Sequence, residues 1–260
     1  MSLSRIALVR QPSSHLDDGI VDNIEKVHVD LDNARKQWQG YVDALKAADW
    51  SVIEVDPADD CADSVFVEDT VVMYKNVAVI SRPGADSRKP ETVATKQTLT
   101  KLGCAIAEIV EPGTLDGGDI LKVGDTIYVG RGGRTNASGV AQLRKILTPL
   151  GASVVTVPVN KVLHLKTAVT ALPDGTVIGF EDYVDNVRIF DRFLPVPEPH
   201  GAAVVCLSET HLLISASAPE SAELLRDLGY EVTEVEISEY EKLEGCPTCL
   251  SVRLRDVLPR

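Results

Sequence analysis

The chain has 260 residues, 44% hydrophobic and 25% charged, which suits one large or two small folded domains and excludes a disordered or fibrous chain. Its 26 Lys and Arg against 39 Asp and Glu leave a formal charge of -13, so the average surface repels nucleic-acid phosphates and anionic lipid. No stretch nears ~18 consecutive apolar residues and the apolar core of residues 1–10 is too short for a signal peptide, which points to a cytoplasmic protein with neither nucleic-acid nor membrane partners.

In chain order, a strand at 6–9 precedes a helical pattern over 31–49 and a β-branched run at 51–55. A strand pair follows at 71–74 and 77–80 around Lys75-Asn76, then a helix over 91–103 and a run at 105–110. The next pair, 120–123 and 127–129, turns at Gly124-Asp125 and leads to a helix over 137–151 and a run at 153–157. A third pair, 168–172 and 177–179, turns at Asp174-Gly175, and a fourth, 204–207 and 212–215, is followed by a helix over 220–229 and a strand over 230–235. Gly103, Gly151 and Gly229 stand where helix C-caps belong. The Pro-rich stretch 194–200 falls in the weakest repeat and reads as an irregular connection.

A fifth strand pair requires 250–254 from the C-terminus beside 6–9 from the N-terminus. The pairs begin roughly 35 to 50 residues apart, the spacing of propellers and solenoids. A two-layer α/β sandwich with hairpins is the plainer alternative, but unpaired first and last strands favour a closed ring with no exposed edge.

If equivalent positions converge on a pseudo-symmetry axis, the residues before each strand pair meet. They are Glu68-Asp69, Asp116-Gly117-Gly118-Asp119, His164-Leu165-Lys166, His200-Gly201 and Cys246-Pro247-Thr248-Cys249. Taken singly, the Asp-Gly-Gly-Asp run is a turn whose glycines tolerate positive φ, and His164 between two leucines is an ordinary core or surface histidine. Taken together, they bring carboxylates, an imidazole and a thiol to one pocket. Arg88 and Arg134 recur at comparable places after their hairpins.

Five cysteines, an odd number in a chain large enough to fold without staples, argue for free thiols. Cys246 and Cys249 have the spacing of a redox motif, but they lead into a strand rather than a helix, and no second cysteine pair completes a structural zinc site. A single nucleophilic cysteine with a distant histidine fits better.

Six ordered motifs resemble the dimethylarginine dimethylaminohydrolases of the amidinotransferase and guanidine-deiminase superfamily. They are 65–69 (VFVED), 82–88 (RPGADSR), 115–119 (LDGGD), 128–136 with its Arg134-Thr135-Asn136, 163–166 (LHLK) and 248–251 (TCLS). The resemblance spans nearly the whole chain and implies a single α/β domain over 1–260. Its fold would be a five-bladed α/β propeller, the pentein fold, of ββαβ repeats with pseudo-fivefold symmetry. It implies hydrolysis of Nω,Nω-dimethylarginine and Nω-methylarginine to citrulline and the methylamine, by a monomer or homodimer without cofactor.

By the same resemblance, Cys249 is the nucleophile, His164 the general acid and base, and Asp116 the carboxylate beside the guanidinium. Glu68 and Asp69 hold guanidino nitrogens, Asp63 and Phe66 line the substrate, and Arg88 and Arg134 clamp its α-carboxylate. Backbone contacts to the amino end fall near Ile20 and Leu243, within or beside a segment placed like a lid. No metal is required, although a soft thiolate beside an imidazole offers inhibitory zinc a site at Cys249 and His164. Asp116, Glu68 and Asp69 are expected to raise the resting Cys249 pKa and a bound cation to lower it. The rival readings are an arginine deiminase-type hydrolase and, from another class, a non-catalytic propeller that only binds.

Overall fold

The computed structural model describes residues 5–255, so the first four residues of the 1–10 segment lie outside it. The order is β1 (Ile6–Val9), α1 (Leu31–Ala47), β2 (Ser51–Glu54), β3 (Val71–Tyr74), β4 (Val77–Ile80), α2 (Thr92–Lys101) and β5 (Ala105–Glu108). It continues with β6 (Ile120–Val123), β7 (Thr126–Arg131), α3 (Ala137–Leu147), β8 (Ser153–Pro158), the single turn α4 (Leu165–Ala168), β9 (Val169–Ala171), β10 (Val177–Gly179) and β11 (Phe193–Pro195). The last elements are β12 (Val205–Cys206), β13 (His211–Ser215), α5 (Pro219–Asp227), β14 (Glu231–Val235), the single turn α6 (Ser238–Glu241) and β15 (Val252–Leu254).

Five three-stranded sheets result, β15-β1-β2, β3-β4-β5, β6-β7-β8, β9-β10-β11 and β12-β13-β14. In each, the middle strand runs antiparallel to the first and parallel to the third. The strand from the C-terminus closes on the one from the N-terminus, with Ile6 opposite Leu254 and Leu8 opposite Val252.

Alternation along the strands serves two neighbours at once. Val71 and Met73 of β3 pack toward Leu8, Leu99 and Val252, whereas Val72 and Tyr74 pack toward Ile127, Val140 and Leu143. Further clusters join Tyr128 to Val177 and Phe190, Ile178 to Leu212 and Leu225, and Leu213 to Val9 and Tyr41. Every sheet is thereby wedged between two others, and the ring closes as a five-bladed α/β propeller.

Local chemistry sets the element ends. The Asp30 carboxylate accepts the Asn33 N–H at 3.0 Å and starts α1, which buries Ala34, Trp38, Tyr41, Val42 and Leu45. Gly103, Gly151 and Gly229 take positive φ after the later helices, while Asp49 fills that position after α1 at φ 63°. The fourth blade departs from ββαβ. Two short 3-10 turns, Glu181–Tyr183 and Val187–Ile189, replace its helix, and the start of the Pro-rich stretch forms β11 on the sheet edge, where Pro195 interrupts no interior ladder.

Candidate active site

A single helical turn precedes the first strand of every sheet: Val67–Thr70, Gly117–Asp119, Leu165–Ala168, Pro199–Ala202 and Pro247–Leu250. Four of them carry the polar residues singled out from the sequence. All predicted site residues except Asp116 and Glu68 line one small cavity, with Leu163, Glu244 and Gly245 completing its wall. Its volume is about 10 Å³, room for one water.

His164 is buried between carboxylates. Its Nε2 lies 3.1 Å from Asp116 Oδ2, and its Nδ1 lies 3.9 Å from Asp69 Oδ1 with no hydrogen-bond partner among the described residues. Burial works against the imidazolium, but the Asp69 charge, the Asp116 hydrogen bond and Asp119 raise its pKa to about 9. Asp116 is fully buried behind the ring, where its Oδ1 accepts the Gly84 N–H at 2.9 Å. It orients the histidine from behind rather than facing the cavity.

Gly117 and Gly118 are not at positive φ, so the turn argument for them is replaced by close approach. A Cβ on Gly117 would sit 2.0 Å from the Glu68 carbonyl oxygen, and one on Gly118 would sit 2.6 Å from His164 Nδ1. Lacking a side chain, Gly118 donates its N–H to Asp69 Oδ1 at 2.7 Å. Arg88 donates to Asp69 Oδ2 at 2.8 Å and to both Glu91 oxygens, at 3.0 and 2.9 Å. Burial alone would raise the Asp69 pKa; His164 and Arg88 overcome it and hold the carboxyl at about 2. Burial likewise opposes the Arg88 charge, and Glu91 and Asp69 keep it firmly protonated.

Glu68 faces elsewhere. Its Oε1 forms an ion pair with Lys166 Nζ at 2.5 Å and accepts from Arg253 Nη2 at 3.1 Å, and the residue lines a cavity of about 90 Å³ on the other side of these turns. Its Oε1 is thus already engaged by two cations, whereas Oε2 is buried with no partner among the described residues.

Cys249 is 8% exposed, and its Sγ lies 3.2 Å from that of Cys246. Its pKa is raised well above that of an ordinary thiol, first by the hydrogen bond to Cys246, then by burial and by the charges of Cys246, Glu68 and Asp69. The carboxylate effect expected from the sequence is present for Glu68 and Asp69, but the neighbouring sulfur is the larger cause.

Residues 15–29 cover the cavity through polar contacts. Ile20 N–H donates to Asp63 Oδ1 at 3.1 Å, and Asp22 N–H and Asn23 N–H donate to Glu244 Oε2 at 2.6 and 3.1 Å. The Asp22 carboxylate accepts from Arg134 Nη2 at 2.6 Å, occupying one of the two predicted carboxylate clamps.

No family model matches the chain. It is 61% identical over 254 residues to N(G),N(G)-dimethylarginine dimethylaminohydrolase of Streptomyces coelicolor, covering 98% of each chain. The chain belongs to the dimethylarginine dimethylaminohydrolase family. The dimethylarginine dimethylaminohydrolase of Pseudomonas aeruginosa is 35% identical over 252 residues, covering 95% of this chain and 98% of the relative. A solved mutant of the Pseudomonas aeruginosa enzyme complexed with citrulline matches at TM-score 0.90 and 32% identity, covering 98% of this chain and 100% of that one. A dimethylarginine dimethylaminohydrolase adduct with S-methyl-L-thiocitrulline matches at TM-score 0.89 and 33% identity, covering 96% and 99%.

In this dimethylarginine dimethylaminohydrolase family member, the structure adds residues that sequence reasoning left without a role. Asp119 accepts the Leu165 N–H at 3.0 Å and the Thr135 hydroxyl at 2.5 Å, fixing the backbone next to His164. Burial raises its pKa to about 6 against the opposing pull of His164 and Thr135. Its place three residues after Asp116 was the available signal. Lys166 stood in the motif with His164, but Arg253, Asp22 and Glu244 gave no signal, because their partners lie far away in the chain.

Proposed function

We propose that this chain, as one catalytic domain, hydrolyses Nω,Nω-dimethylarginine and Nω-methylarginine to citrulline and dimethylamine or methylamine. The observation that carries the reading is the shared cavity of Cys249, His164, Asp69 and Arg134 in a chain with a full-length relative of that name.

Displacement of residues 22–28 frees Arg134 from Asp22 for the substrate α-carboxylate, while Arg88, the other expected clamp, is paired with Asp69 and Glu91 and holds Asp69 in place. The amino end meets backbone at Ile20 and Leu243, Phe66 and Asp63 pack along the chain, and Asp69 accepts from the guanidinium. The bound cation lowers the Cys249 pKa so that the thiol gives its proton to solvent water, and the thiolate adds to the guanidinium carbon. His164, protonated at neutral pH because its pKa lies near 9, passes its Nδ1 proton to the departing amine as the C–N bond breaks. Neutral His164 then takes a proton from water as it attacks the thiouronium, the C–S bond breaks, and citrulline leaves. Asp116 and Asp119 keep the ring in place through both halves. Zinc binding to Cys249 and His164 would block these steps; activity falling across a buffered zinc titration supports that part, and unchanged activity removes it.

The predominantly acidic molecule suits a small cationic substrate, and no described helix is long and apolar enough to cross a membrane. A cytoplasmic setting accords with both. Product analysis with dimethylarginine, arginine and agmatine decides the substrate. Citrulline from dimethylarginine, lost in Cys249→Ser, is expected; preferential turnover of arginine would make the chain a deiminase, and binding without turnover would make it a binder.

A further inference from the structure

We propose that Cys246 and Cys249 form a reversible disulfide that switches this site off in the presence of a hydroperoxide, an inference that rests on Cys249 being the nucleophile. The two sulfurs are 3.2 Å apart, in contact but unbonded. They belong to one tight turn, closed by the Cys249 N–H donating to the Cys246 carbonyl at 3.0 Å, with Pro247 fixing the backbone between them. A disulfide needs the sulfurs to close from that contact to about 2.05 Å, with the short turn already holding the two side chains on one side. Cys61 and Cys206 instead donate to the backbone carbonyls of Ser87 and Ala171.

Access distinguishes the pair. Cys249 is buried on the substrate cavity, whereas Cys246 is half-buried and lines a separate cavity of about 470 Å³ with Lys161, His200 and Lys242. An oxidant therefore reaches Cys246 while residues 15–29 cover the substrate side. The pair shares its proton unevenly: the hydrogen bond from Cys249, assisted by Thr248, lowers the Cys246 pKa. The sulfur that lines the wider cavity is thus the one a peroxide meets first.

The chemistry balances with the hydroperoxide as sole oxidant. The Cys246 thiolate attacks a peroxide oxygen, the O–O bond breaks, and the alkoxide or hydroxide takes a proton and leaves as alcohol or water. Cys249 sulfur then attacks the Cys246 sulfenic acid, the S–O bond breaks, and water leaves with the Cys249 proton. Two thiols and one hydroperoxide yield one disulfide, one alcohol or water, and one water. A dithiol reverses the bond by exchange, being oxidised itself. While the bond lasts, Cys249 has no thiolate to add to a guanidinium.

The test exposes the full chain to hydrogen peroxide, blocks remaining thiols and digests with trypsin. Cleavage after Lys242 and Arg253 places both sulfurs, and no other cysteine, in peptide 243–253. The expected result is a peptide lighter by two hydrogens that resists alkylation. Activity falls at least about tenfold and dithiothreitol returns it to within about twofold of the untreated level. Cys246→Ser and Cys246→Ala, each referenced to its own untreated activity, are expected to yield no peptide lighter by two hydrogens and to lose activity clearly more slowly than the wild type, because Cys249 stays covered. Oxygen addition at Cys249 in the wild type without loss of two hydrogens, or inactivation of both variants at the wild-type rate, would overturn the proposal. The peptide mass reads the disulfide whatever Cys249 does in turnover. Full activity in Cys249→Ser would instead remove the nucleophile reading, and with it the switch.

Discussion

His164 shows how position rather than residue type sets reactivity. An ordinary imidazole is mostly neutral at pH 7, but Asp69, Asp116 and Asp119 hold this one at about 9 despite its burial. NMR titration of the ring should show a midpoint near 9 in the resting protein and a clearly lower one in Asp116→Asn. The folded pKa lies above the ordinary 6.5, so the associated stabilisation is complete below about 6.5 and is lost as pH rises through about 9. Denaturant midpoints for wild type and His164→Gln should accordingly converge between those limits. Gly118 offers a steric test of the same site, since a Cβ there would sit 2.6 Å from His164 Nδ1 and 2.7 Å from Asp69 Oδ1. Gly118→Ala should cut turnover by about a hundredfold or more while circular dichroism shows a folded protein.

At the scale of elements, the site is built from one-turn segments at equivalent places in the blades. This much was legible because strand and helix periods are local, and so are the polar residues that follow them: the five strand pairs and four long helices stand where the patterns put them. The fourth blade was less legible because its helix is replaced by 3-10 turns and its outer strand contains a proline at an edge. Glu68 and Asp69 are adjacent in one turn yet serve opposite sides of it. No local pattern distinguishes which carboxylate meets Arg88 and which meets Lys166 and Arg253. The contact of Cys246 with Cys249 was hidden for a related reason, since the sequence shows the spacing but not where the sulfurs point.

The covering segment makes its own prediction. Residues 22–28 are exposed and fastened by polar contacts, while Leu16 and Val29 on either side are anchored in the core, so displacing 22–28 alone exposes little apolar surface. Asp22 competes with a substrate carboxylate for Arg134, and Asp22→Asn should lower KM roughly two- to fivefold, a modest effect because Asp22 is largely solvated. An unchanged or higher KM in steady-state kinetics would show that this contact does not oppose substrate binding.

Across the whole molecule, five apolar clusters between five sheets make each blade dependent on both neighbours. Leu8 is fully buried in β1, where the chain ends meet, and Leu8→Ala should cost about 2–5 kcal/mol in denaturant unfolding while retaining a single transition. Ring closure also explains why one pocket draws on residues from 20 to 249: the axis gathers what the chain separates. Everything at this axis turns on Cys249 bonding to the guanidinium carbon during turnover. Rapid acid quench with dimethylarginine, followed by mass analysis of peptide 243–253, tests it most directly. A transient adduct on Cys249, absent from Cys249→Ser, is expected. Citrulline formed at full rate with no adduct at any time, or by the Cys249→Ser protein, would contradict it.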